Sequence, residues 1–215
     1  SYTIIDETII LLDPTKEGYS FFGWYDNDTF SGDEVTSIPN GSIDDITIYA
    51  EWEINQYTIS FDSNKGSLVD DITQNYNTIL ISPLDPNLVG YIFDGWYIDE
   101  LLEVEYSFST VPAEDITLYA KWEINEYTVT IDYNNGDTLT LDVEYGSTID
   151  MPQDPEKARS VFDGWFEDNT FVTEFDFDSP IVVDTSIVAK WIEDDVILIG
   201  TNIYTFNDNF MYGLI

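Results

Sequence analysis

Two tryptophan-centred motifs recur along this chain at nearly constant spacing, and nothing else in the sequence restricts its fold so tightly. The first reads Phe22-Gly23-Trp24-Tyr25, then Phe93-Asp94-Gly95-Trp96-Tyr97, then Phe162-Asp163-Gly164-Trp165-Phe166. The second reads Ile48-Tyr49-Ala50-Glu51-Trp52, then Leu118-Tyr119-Ala120-Lys121-Trp122, then Ile187-Val188-Ala189-Lys190-Trp191. All 6 tryptophans of the chain lie in these motifs, and equivalent ones recur every 69 to 72 residues. Such regularity marks tandem duplication of a unit of about seventy residues. A unit that small needs a large apolar payload, which its two tryptophans and several Tyr and Phe supply.

The pattern inside the unit is that of strands. Tyr57, Ile59 and Phe61 alternate with Thr58 and Ser60, the period-two signature of a half-buried strand. Asn64-Lys65-Gly66 and its counterpart Asn134-Asn135-Gly136 read as hairpin turns. Second strands are expected over residues 68–76 and 138–145. A crossover with Pro83 and Pro86 follows, then a strand from Tyr91 to Tyr97. The last strand places Ile116, Leu118, Ala120 and Trp122 on one face, against Thr117, Tyr119 and Lys121 on the other. Glu51 at the position of Lys121 marks that second face as solvent-exposed. The Gly before each tryptophan is expected to let a neighbouring backbone or ring lie close. Trp24, Trp52, Trp96, Trp122, Trp165 and Trp191 are read as core, because their placement in every unit suits packing better than a carbohydrate platform.

Composition removes several classes of function. The 43 acidic residues against 6 basic ones give a formal charge of −37, which repels nucleic acid and anionic lipid. No cysteine and no histidine is present, so disulfides, thiol chemistry and the commonest general base are absent. No apolar run is long enough to insert in a membrane as a helix. The chain opens at Ser1 with neither Met nor a signal peptide, which suggests a processed product or a piece of something longer. No Gly-x-Ser-x-Gly, P-loop or dinucleotide fingerprint occurs, and paired carboxylates are expected by chance in so acidic a chain, so no enzyme is expected. Acidic pairs do follow each Gly-Trp strand: Asp26 and Asp28, Asp99 and Glu100, Glu167 and Asp168. They are weak candidates for calcium, because none has EF-hand spacing and calcium wants six to eight oxygens. A solvated loop is the simpler reading, and no other cofactor is implied.

The motifs Tyr-Thr-Ile/Val-x-Phe/Ile-Asp, Phe-Asp-Gly-Trp-Tyr and Ile-Thr-Leu-Tyr-Ala-Lys-Trp, spaced over about seventy residues, resemble the Listeria–Bacteroides repeat. That family includes the B repeats of internalin-type bacterial surface proteins. The resemblance covers residues 1 to about 192 and weakens at Arg159-Ser160, where the earlier units have Gly18-Tyr19 and Gly90-Tyr91. It implies a mainly β fold (α+β at most) of β-grasp-like units, with at most a short helix in the crossover. It also implies stalk or adhesive segments of large secreted or wall-attached proteins, with no catalytic residues.

The expected organisation is a first unit at 1–53 lacking its opening strand, complete units at 54–123 and 124–192, and an apolar tail at 193–215. Links as short as Glu53-Ile54-Asn55-Gln56 suit a semi-rigid row, an extended rod with Ile54 and Ile124 at the contacts between units. In the tail, Asn202-Ile203-Tyr204-Thr205-Phe206 echoes the missing opening strand, and Phe210, Tyr212 and Leu214 keep it apolar to the end. One expectation is therefore an extracellular or cell-surface structural protein, a stalk or a filament subunit joined head-to-tail by strand complementation through Ile203, Tyr204, Phe206, Phe210, Tyr212 and Leu214. The alternative is an adhesive module that binds a glycan or a host protein.

Overall fold

A computed structural model describes residues 7–193 and the backbone of two further strands, at 196–199 and 202–205. In chain order the strands are β1 (Ile9–Ile10), β2 (Tyr19–Tyr25), β3 (Ser37–Ile38), β4 (Tyr49–Ile54), β5 (Gln56–Asp62), β6 (Ile72–Asn75) and β7 (Tyr91–Tyr97). They continue with β8 (Ile116–Ile124), β9 (Glu126–Asp132), β10 (Thr138–Glu144), β11 (Ser160–Phe166), β12 (Thr185–Glu193), β13 (Val196–Ile199) and β14 (Asn202–Thr205). No helix occurs among the described residues. These residues divide between two compact bodies, one drawn from Ser1–Leu88 and Phe93–Trp122, the other from Val89–Ile92 and Glu123–Ile215.

The first body holds a four-stranded sheet of order β6-β5-β8-β7, the second one of order β10-β9-β12-β11. In both, the inner pair runs parallel, as in a β-grasp sheet, and β6, β10 and β11 join it antiparallel. Alternation dictates what each inner strand buries. Ile59 and Phe61 of β5 meet Leu118 and Ala120 of β8 around Trp96, while Val129 and Ile131 of β9 meet Ile187 and Ala189 of β12 around Trp165. Each fully buried branched side chain contributes roughly 1.5–3 kcal/mol.

Where a larger β-grasp unit would lay a helix across the sheet, these crossovers run without one. Pro83 and Pro86, and Pro152 and Pro155, deny the backbone donors a helix needs. One side chain from each crossover plugs the core instead, Leu80 in the first body and Ile149 in the second. The crossover is tied down by Leu80 N–H to Ser109 O (3.0 Å) and Val111 N–H to Thr78 O (2.9 Å), and in the second body by Ile181 N–H to Ser147 O (2.8 Å).

Several details depart from the expected pattern. β6 is only four residues long, because residues 63–71 are drawn off the hairpin. Ser67 exchanges hydrogen bonds with Asn87 of the crossover (2.8 and 2.9 Å), and Gly66 lies under the Trp122 ring, where a Cβ would stand 2.5 Å from Cζ2. The Gly before each tryptophan is required by conformation. It sits at φ +156, +151 and +129, and in β2 and β11 the strand register shifts there as in a β-bulge. Lys121 is not simply solvated: its ammonium bridges Asp94 (3.0 Å) and the Tyr97 hydroxyl (3.0 Å). Lys190 pairs with Asp163 at 2.6 Å.

The first repeat contributes the pairs β2–β4 and β1–β3. Among the described residues β4 has no parallel partner such as β5 gives β8. At the far end β13 and β14 form an antiparallel hairpin, Val196 opposite Thr205 and Ile199 opposite Asn202. β5, β9 and β13 begin at 56, 126 and 196, so the opening-strand position falls to Val196–Ile199 and Asn202–Thr205 becomes its hairpin partner. Ile203 and Tyr204 lie in β14, whereas Phe206, Phe210, Tyr212 and Leu214 lie outside the described residues.

Candidate functional site

The residues with the most specific geometry lie at the joint between successive repeats. One asparagine separates β4 from β5, and all four of its polar groups are used. Asn55 N–H donates to Gly18 O (2.9 Å), and Asn55 O accepts from Tyr76 N–H (2.8 Å). Its side-chain Oδ1 accepts from Ser20 Oγ (2.7 Å), and its Nδ2 donates to Tyr57 Oη (3.3 Å). The Tyr76 ring lies flat on Gly18, where a Cβ would come within 2.0 Å of Cδ1. Gly18 also holds φ +73, a conformation that favours glycine, and the ring above it leaves no room for a Cβ. Edge contacts from Tyr19 and Tyr57 (6.2 and 6.4 Å between centroids) enclose the Tyr76 ring, and Lys16 Nζ lies 3.7 Å from the Tyr19 ring. Burial, then the charge of Glu17, pushes the Tyr76 hydroxyl pKa upward.

The same joint recurs seventy residues later, wholly within the second body. Asn125 N–H donates to Gly90 O (2.9 Å), Tyr145 N–H donates to Asn125 O (2.8 Å), and Asn125 Nδ2 donates to Tyr127 Oη (3.3 Å). A Cβ on Gly90 would again lie 2.0 Å from the tyrosine's Cδ1. One contact is missing. Ile92 stands where the first joint has Ser20, and Asn125 Oδ1 is buried without a partner. Sequence reasoning placed Ile54 and Ile124 at these contacts. Ile54 is a half-buried backbone partner of Tyr19, but the bonds that close the joint come from Gly18, Asn55 and Tyr76. The repeated Asn-x-Tyr-Thr motif was the available signal.

The tryptophans divide into two kinds. Trp96 and Trp165 are 3% and 4% exposed, packed on Phe61 and Tyr133, and their indole nitrogens have no partner. Trp24, Trp52, Trp122 and Trp191 are half-buried, and three of these four hold their indole N–H on a carbonyl: Trp24 on Leu12, Trp122 on Ser63 and Trp191 on Tyr133. None is an exposed platform of the sort that stacks on sugars.

The acidic loops are organised as turns. Asp99 accepts backbone N–H bonds from Val104 (2.8 Å) and Glu103 (3.1 Å), which hold its carboxyl below the usual range. Asp168 is lowered likewise by the hydroxyl and backbone N–H of Thr170. The equivalent residue of the first repeat, three positions after Trp24, is neutral Asn27, whose Oδ1 accepts from the N–H groups of Thr29 and Ser31 (3.2 Å each). Asp26 takes a bond from Asn27 (2.8 Å), and Glu100 one from Tyr119 (3.3 Å). Neither Asp28 nor Glu167 joins them, and no group of three or more acidic side chains fit to hold a metal occurs among the described residues. The position that closes the turn needs an oxygen acceptor and no charge.

Comparison with known proteins gives the arrangement its context. Over 184 residues, 83% of its length, the chain is 43% identical to a protein of Evansella cellulosilytica named as a membrane protein, and spans 27% of it. A second protein of that organism, named as a glycine-rich membrane protein, is 42% identical over 82% of the chain, which spans 21% of it. Internalin H of Listeria monocytogenes is 38% identical over 53% of the chain, which again spans 21%. The chain thus spans about a quarter of the length of these relatives. The pattern of the Listeria-Bacteroides repeat domain matches three times, at residues 2–51, 57–121 and 127–190, and the chain belongs to that family.

Proposed function

We propose that this chain is a spacer segment of a bacterial cell-surface protein, in which tandem repeats carry other parts of the polypeptide away from the envelope. The observation that carries this reading is the joint: Gly18, Asn55 and Tyr76 recur as Gly90, Asn125 and Tyr145 with the same backbone bonds and the same ring seat. A flexible tether has no use for an asparagine whose amide, carbonyl and side chain are all engaged. Relatives named as membrane proteins and an internalin agree with a place at the envelope. Small-angle scattering of the full chain, compared with a version carrying a four-residue Gly-Ser insert between Ile54 and Asn55, tests it. The insert should broaden the distance distribution. Indistinguishable curves would mean that the joint restrains nothing.

A second reading, assembly of copies head-to-tail by strand complementation, is favoured by two open edges. Among the described residues β4 lacks a parallel partner and β13 pairs only with β14. Light scattering over a concentration series, with and without residues 194–215, decides between them. Growth of the full chain alone supports assembly, and a monomer at every concentration eliminates it.

A further inference from the structure

In each four-stranded sheet the chain enters along one inner strand and leaves along the other, and these two strands are hydrogen-bonded in parallel. The pairs are Ile59–Ile116, Ser60–Thr117, Phe61–Leu118 and Asp62–Tyr119 in the first body. In the second they are Val129–Thr185, Thr130–Ser186, Ile131–Ile187 and Asp132–Val188. Because the strands are parallel, the start of β9 and the end of β12 lie at opposite ends of the pair. Tension between those points slides one strand along the other and loads the rungs together. An antiparallel hairpin pulled at its open end peels one rung at a time.

Side chains lengthen this pair at both ends, identically in the two bodies. At the entry, Asp115 accepts from Thr58 N–H (2.7 Å) and Asp184 from Thr128 N–H (3.0 Å). At the exit, Asn64 donates to Ala120 O (2.7 Å) and Asn134 to Ala189 O (3.3 Å). Beside them the Trp122 indole donates to Ser63 O (3.0 Å) and that of Trp191 to Tyr133 O (2.9 Å). Ile59, Leu118, Ile131 and Ile187, each 0% exposed, keep water from competing for the central rungs. We infer that each complete repeat is a mechanical clamp, built to carry tension along the chain without opening. This rests on the spacer reading, since only a segment under load has use for it.

The chain has no cysteine, so substituted pairs define the direction of pull in a single-molecule force measurement on the full chain. Glu126→Cys with Glu193→Cys loads β9 and β12 in shear. Glu126→Cys with Glu144→Cys, a facing pair across β9 and β10, peels the hairpin. Shear should require several-fold more force than peeling at one loading rate, and release about 200 Å of chain, near the full extension of one repeat. Equal forces in the two directions would overturn the clamp. Asp184→Ala should lower the shear force and leave the peeling force unchanged; an equal loss in both would assign Asp184 to general stability and count against it. Force and scattering fail separately: a repeat that shears open easily leaves the spacer standing, and a floppy joint leaves the clamp standing.

Discussion

Gly90→Ala and Gly146→Ala place the same methyl group in the same backbone conformation with different neighbours. Gly90 has φ +81 and Gly146 φ +80, and both belong to the second body. Around a Cβ on Gly146 there is nothing within 4 Å, whereas on Gly90 the Tyr145 ring stands at 2.0, 2.3 and 2.4 Å. Each alanine meets the left-handed penalty of about 1–2 kcal/mol. Gly90→Ala must also displace the ring from its seat and from its 6.4 Å contact with Tyr127. Overpacking of this kind costs about 1–3 kcal/mol more. Urea unfolding of wild type, Gly146→Ala, Gly90→Ala, Tyr145→Ala and the Gly90→Ala/Tyr145→Ala double variant measures the difference. Gly90→Ala should cost about 2 kcal/mol more than Gly146→Ala, and the excess should vanish in the Tyr145→Ala background. Equal costs for the two glycines, or an excess that survives removal of the ring, would refute the wedge.

Ile92→Ser should give Asn125 Oδ1 the hydroxyl that Ser20 gives Asn55 and stabilise the second body by about 1 kcal/mol, with Ser20→Ala costing the first body a similar amount in the same melts. Tyr76, with its pKa raised, should ionise above the ordinary tyrosine range in an absorbance titration. A raised folded pKa means its contribution is intact below the unfolded value and lost as pH climbs through the folded one, so the first joint should loosen only in strong alkali. The lowered carboxyls of Asp99 and Asp168 act in the opposite direction, with stability present above the ordinary carboxylate range and lost as pH falls through their folded values. Asp99→Asn should melt like the parent at neutral pH, because Asn27 closes the same turn uncharged, and should remove part of the acid sensitivity. A calcium-dependent rise in melting temperature abolished by that change would restore a metal role.

The strands were legible because period-two alternation and the two tryptophan motifs are properties of single residues. The joint was not, although every residue of it was in view. Tyr76 and Tyr145 read as the ends of second strands, and only the fold shows that those ends overlie the glycine before the preceding repeat's Trp strand. The asparagine works mainly through its backbone amide and carbonyl, which carry no sequence signature. The turn geometry of the acidic loops was hidden for a related reason. Charge singled out Asp26 and Asp28, Asp99 and Glu100, Glu167 and Asp168, whereas the position that closes each turn is the third after tryptophan, occupied by Asn27, Asp99 and Asp168. Comparing repeats by position rather than by charge would have shown that an amide serves there.

The third repeat shows what the joint requires by altering it. Arg159 takes the place of Gly18 and Gly90 and still holds φ +59, so the turn itself does not depend on glycine. What glycine adds is the space above it, which the tyrosine ring fills in both joints and which a Cβ on residue 159 would occupy. The neighbouring positions change together in sequence: Ser160 replaces the tyrosine that follows the glycine, and Asp194-Asp195 follow Trp191 where Asn55 and Asn125 follow Trp52 and Trp122. A carboxylate cannot donate to a tyrosine hydroxyl as Asn55 and Asn125 do. The exchange of all three residues at one position in the array, while the tryptophans and the parallel inner pair are retained, separates two layers of design. The parallel inner pair is common to both complete repeats, and the glycine, asparagine and tyrosine of the joint are a separate set of residues that can be exchanged without it.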